Sequence, residues 1–121
     1  MSGQRVPLVM VPRYTSYVGP NEFTTVPLDV SEYAKAVLTL WRGELVGDDG
    51  STISAVFETS QDAKEWSPAH VAIESAPGSD ILDFELEDRW LRFRIVLVTP
   101  GHEVGITCWA AGSLEMRISG G

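Results

Sequence analysis

The side chains best able to do chemistry are few and scattered. Two histidines, His70 and His102, stand 32 positions apart, and Cys108 is the one cysteine. A zinc centre takes three or four ligands at recognisable spacings, and no such spacing occurs here. His70 opens a strand-like run and His102 sits in a glycine-rich turn, so both read as solvent-facing histidines. Cys108 lies between Thr107 and Trp109 in an apolar stretch and reads as a small buried hydrophobe. Nothing beside it in sequence supplies the base or cation that would activate a thiol.

The serines form no Gly-x-Ser-x-Gly elbow. Asp48-Asp49 and the group Glu85, Glu87, Asp88 are the acidic clusters. A glycosidase needs two carboxylates facing each other across a cleft. Glu85 and Glu87 fall on one face of one strand and read as solvated charge. The Gly47–Gly50 turn and the Ser60–Asp62 loop gather oxygen atoms of the kind calcium takes, without the spacing of an EF-hand. The expectation is a chain without catalytic residues, cofactor or metal.

Aromatic side chains offer a second kind of chemistry. Exposed rings mark binding sites, and tryptophan stacks on sugars. Trp41 with Arg42, beside a turn, and Trp66, at the end of a polar loop, are the candidate ligand-binding residues. Near the N-terminus, Pro7, Met10, Pro12, Tyr14 and Tyr17 are large, apolar or amphipathic, and accompanied by only two charges, Arg5 and Arg13. They are the candidate partner-contacting residues. Residues 1–17 complete the sheet as an edge strand or lie as an arm across a neighbouring subunit. Residues 18–121 make the domain proper.

A chain of 121 residues points to one domain, and 44% hydrophobic residues can fill its core. The formal charge of −8, from 17 acidic and 9 basic residues, weighs against nucleic acid and against anionic membranes. One cysteine cannot close an internal disulfide. The opening MSGQRVPLVMVPRY is interrupted by Pro7 and Pro12, unlike the apolar region of a signal peptide. A soluble protein, not secreted by a signal peptide, is expected.

The elements that must position these residues are strands. Val6–Tyr17, Phe23–Leu28, Thr52–Thr59, His70–Glu74, Leu82–Glu87, Val104–Ala110 and Leu114–Ile118 are short strand-like runs between turn residues. Trp90–Val98 alternates most clearly, with Leu91, Phe93, Ile95 and Leu97 opposite Arg92 and Arg94. Tyr33–Arg42 is partly apolar on both faces, as in a strand covered on both sides. A short helix over Val30–Lys35, capped by Asp29 or Ser31, fits the local sequence. Together these predict an all-β fold, an antiparallel β-sandwich of about eight strands.

The loop ETSQDAKEW, residues 58–66, ends a strand, turns on Ser60 and Asp62, and returns a large ring at Trp66. Thr59-Ser60-Gln61-Asp62 followed by Trp66, with the later Trp90-Leu91-Arg92-Phe93-Arg94, resembles discoidin-like β-sandwich domains. It is also similar to the jelly-roll sandwiches of small phage virion proteins. The resemblance spans about residues 35–118 and lacks the terminal cysteine pair common in discoidin domains. It implies a non-enzymatic structural subunit of a virion, a capsid decoration or tail accessory protein. Its partners would be copies of itself and a capsid or tail. The alternative it implies is a glycan-binding module.

Overall fold

The computed structural model describes residues 4–73 and 77–117. Among them every regular element is a strand. In chain order these are β1 (Arg5–Gly19), β2 (Asn21–Thr24), β3 (Leu28–Asp29), β4 (Tyr33–Arg42), β5 (Val46–Gly47), β6 (Thr52–Ser60), β7 (Ser67–Ile73), β8 (Gly78–Glu85), β9 (Trp90–Val98) and β10 (Val104–Met116). One sheet runs β1-β10-β4-β8, with β5 added beside β10. The other runs β2-β9-β6-β7, with β3 added beside β9. Every pairing is antiparallel.

Setting the two-residue β3 and β5 aside leaves eight main strands, and they pair from the outside inward. The first joins the last (β1 with β10), the second joins the next to last (β2 with β9), then β4 joins β8 and β6 joins β7. Successive pairs alternate between the two sheets. A long antiparallel ribbon rolled up in this way is a jelly roll. The chain is therefore an antiparallel β-sandwich of that topology.

Alternation along each strand puts one row of side chains between the sheets. Leu91, Phe93, Ile95 and Leu97 of β9 face Ala36, Leu38 and Leu40 of β4 and Val104, Ile106, Cys108 and Ala110 of β10, all buried. Phe57 lies at the centre, its ring centroid 4.6 Å from Phe93 in its own sheet and 5.4 Å from Phe84 across the core.

Several features differ from the sequence reading; the run Phe23–Leu28, for one, is divided between β2 and β3. No helix follows Asp29. Its carboxylate accepts the Ser31 N–H at 3.0 Å, and the Tyr33 N–H donates to Val30 O at 3.0 Å. The chain makes a tight turn and enters β4 at Tyr33. The short polar side chains that cap helices also close such turns, and here the strand alternation beyond them prevails. Likewise, Val104–Ala110 and Leu114–Ile118 are not two strands. β10 runs unbroken through Ala111-Gly112-Ser113, while Ile118 lies outside the described residues. Gly112 marks close approach and not a turn. A Cβ there would sit 2.0 Å from Val37 O on the neighbouring β4.

β1 is the edge of its sheet and pairs with β10 from Arg5↔Glu115 to Gly19↔Val104. Bulges interrupt the ladder between Val9 and Val11 and between Val11 and Thr15. Val11 is in the core. The segment thus forms part of the sandwich that the rest of the chain builds.

Candidate functional site

The two sheets turn very different faces outward. On the β1-β10-β4-β8 sheet the outer residues follow from register. Val9 lies opposite Ala111, which lies opposite Thr39, which lies opposite Ile81. Toward one end comes the cross-strand pair Trp109 and Trp41, with the Arg13 guanidinium 4.9 Å from the Trp109 ring centre. Beyond it, Val18 and Val46 flank Gly105 from either side. Val9 is 61% exposed and Ile81 77% exposed. Of the six large hydrophobic residues exposed among those described, Val9, Val18, Val46 and Ile81 all belong to this one face. Trp41, Val18, Val46, Gly43, Gly105 and Thr107 line a groove of about 530 Å³.

Toward the other end the face becomes charged. One row across the four strands reads Arg5, Glu115, Lys35, Glu85. Lys35 pairs with Asp83 at 3.3 Å and with Glu115 at 3.9 Å. Arg5 and Glu85, at the row's two ends, join no ion pair among the described residues.

The outer face of the β2-β9-β6-β7 sheet settles its charges internally. Arg92 Nε donates to Glu58 Oε1 at 2.8 Å, Arg94 reaches Glu58 Oε2 at 3.8 Å, and Arg94 also binds Glu22. The Arg94 contact holds the Glu22 carboxyl below the usual glutamate range. Trp66 lies over the Arg92 guanidinium at 4.1 Å. Glu58, only 6% exposed, is therefore buried with both arginines around it.

This is what the ETSQDAKEW loop accomplishes. Ser60 Oγ accepts the N–H groups of Asp62 and Ala63 and donates to Asp62 Oδ1. Asp62 Oδ1 accepts those of Lys64 and Glu65 at 2.9 and 3.0 Å, which lowers its pKa. Ala63 takes a positive φ of 60° to close the turn. The loop so fixed lays the indole over Arg92.

The sequence candidates divide accordingly. Trp41 stands on the apolar face, beside the groove. Arg42, the next residue, pairs opposite the buried Cys108 and donates through Nε to Gly43 O at 3.2 Å. Trp66 lies over the opposite sheet. The three do not converge on one site. In the N-terminal set, Pro7 and Pro12 are exposed, while Met10 and Tyr17 pack against the core, Tyr17 with its ring 5.0 Å from Phe23. Their neighbours in the chain, Val9 and Val18, are the residues exposed on the outer face. The side chain of Tyr14 lies outside the described residues.

Among the described residues no three His, Cys, Asp or Glu side chains come together as metal ligands. Asp48 accepts the backbone N–H of Glu103 at 3.0 Å and that of His102, which lowers its pKa and ties two turns together. Burial pushes the Cys108 thiol up to about 11, so it is protonated at neutral pH. The side chain of His70 is outside the described residues.

Val9, Val18, Val46 and Ile81, which stand on this face, were not among the residues singled out from the sequence. A signal was present: Ile81 beside Leu82, and Val37 between Ala36 and Leu38, break the apolar-polar alternation. The fold and this geometry define a jelly-roll β-sandwich with one apolar outer face. Compared with known protein families, curated proteins and solved structures, the chain matches none.

Proposed function

We propose that this chain is a non-enzymatic structural subunit of a larger assembly, a virion component of the capsid-decoration or tail-accessory kind, acting through protein interfaces. One observation carries the reading: four of the six large hydrophobics exposed among the described residues, Val9, Val18, Val46 and Ile81, share the outer face of a single sheet. Contiguous apolar surface of this sort marks an interaction site on a soluble protein. The acidic balance of the whole chain, −8, keeps the remaining surface solvated. Jelly rolls serve capsid domains and lectins alike, so the architecture fits without deciding.

The test is mass in solution by light scattering over a range of concentrations. Deleting residues 1–17 is a poor variant, because it removes Val11 from the core and strips the edge of β10. Paired substitutions Val9→Asp and Ile81→Asp are better, since both side chains are exposed. The full chain is expected to self-associate, and the variant to be a folded monomer. A full chain that stays monomeric and joins no particle counts against the assembly reading.

A second reading, a glycan-binding module, draws on Trp41 beside the groove. A glycan array without hits removes it. Hits abolished by Trp41→Ala would favour it.

A further inference from the structure

The outer face of the β1-β10-β4-β8 sheet has a pattern that only strand register reveals. Take an axis along the strands, midway between β10 and β4, and turn a second copy by half a turn onto the first. The β1 strand of the second copy then lies over β8 of the first, and β10 over β4. The charged row reads plus, minus, plus, minus from Arg5 through Glu115 and Lys35 to Glu85. The rotation reverses its order, so Arg5 meets Glu85 and Glu115 meets Lys35. Further along, Val9 meets Ile81, Ala111 meets Thr39, and Trp109 meets Trp41. Val46 comes over Gly105, which has no side chain to obstruct it.

We infer that this face binds a second copy of the chain, face to face about a two-fold axis parallel to the strands. The inference deepens the assembly role proposed above and rests on it. An isologous interface must be self-complementary, each residue meeting the one that meets it in return. Here the complementarity holds for charge as well as for apolarity. The two ends of the row are the informative part. Arg5 and Glu85 have no ion-pair partner among the described residues of their own copy. On the same face β1 also carries Arg13, beside Trp109, and β8 also carries Asp83, opposite Val37, so the basic edge of one copy covers the acidic edge of the other.

The size is adequate. Four strands spaced about 4.8 Å apart and about 34 Å long present a face of roughly 650 Å², close to the ~800 Å² each partner gives to a standard interface. Aligned stacking of two sheets is an ordinary packing mode.

The experiment is charge reversal on the full chain, read by sedimentation equilibrium with circular dichroism as the check of folding. The wild-type chain is expected to be a dimer. Arg5→Glu and Glu85→Arg are each expected to weaken it by about tenfold or more, since each sets like charges against each other twice per dimer. The two changes together restore opposite charges in reversed order, and the dimer is expected to return to within about threefold of wild type. An oligomer indifferent to both single reversals, or a double variant as weak as the sum of its parts, overturns this interface and leaves the assembly role standing. A trimer without dimers does the same, because a two-fold contact cannot close it. A wild-type monomer at every concentration overturns this interface, and the assembly role falls with it only if the chain also joins no particle.

Discussion

The two outer faces of this sandwich come from the same alternation and end in opposite states. On the β2-β9-β6-β7 sheet, Glu22, Glu58, Arg92 and Arg94 neutralise one another, and a loop delivers Trp66 to shield the network. On the β1-β10-β4-β8 sheet, valine, isoleucine and paired tryptophans stand where solvent-facing polar residues are usual. One face pairs its charges within the chain; the other keeps Val9, Val18, Val46 and Ile81 exposed beside its ion pairs. An antiparallel sheet often keeps one face solvated and alternates cleanly for it. The face that breaks alternation is the one to which a partner is assigned.

The comparison can be sharpened by substitution. Both faces rest on one core, so the largest effect belongs to neither. Phe57→Ala removes a fully buried ring that touches Phe93 and Phe84, and is expected to cost about 3–5 kcal/mol in chemical denaturation. A loss below about 1 kcal/mol would mean that the sheets can close over the space. Next comes the charged face. Glu58→Ala leaves Arg92 and Arg94 without their shared carboxylate and is expected to cost about 2 kcal/mol, with the mass in solution unchanged. A change of oligomeric state in that variant would erase the distinction between the faces.

The smallest effect is in acid. Glu22, Asp48 and Asp62 have pKa values lowered by Arg94 and by backbone N–H donors. A carboxyl whose pKa is lower folded than unfolded contributes stability above its unfolded value, and that contribution is lost as pH falls through the folded one. The urea midpoint is therefore expected to hold from neutrality down to the ordinary carboxyl range, 4.5 for Glu and 3.8 for Asp, and to decline below it. Glu22→Gln should make that decline shallower. A midpoint that rises on acidification would contradict these assignments.

Much of the fold was legible in the sequence, for a physical reason. β4 and β9 have the bounds read from composition and alternation, Tyr33–Arg42 and Trp90–Val98, because burial between two sheets imposes its period on the chain. β10 was not legible as one strand. Glycine at a turn and glycine under a neighbouring carbonyl look alike until Val37 O is placed. Of the apolar face, Trp41 was read directly, and Ile81 and Val37 showed only as local breaks in alternation. Its other members sit singly in strands far apart in sequence, from Val9 to Trp109, and only the pairing of first strand with last brings them together. Trp66 was correctly seen as the anchor of its loop. That it lies on Arg92 follows from β6 and β9 being neighbours, which no local pattern records.

The rolled ribbon has a mechanical side. Because β1 pairs with β10 and Arg5 stands opposite Glu115, the two strands' outer ends leave the sheet together. A force drawing those ends apart acts across the strands and loads the hydrogen bonds one at a time, like a zipper, instead of shearing the whole ladder at once. Pro7, which has no N–H to give, lies among the first pairs to meet it. Held by its ends the molecule would peel from the β1 edge inward, and a second copy spanning β1 and β8 would act as a clasp.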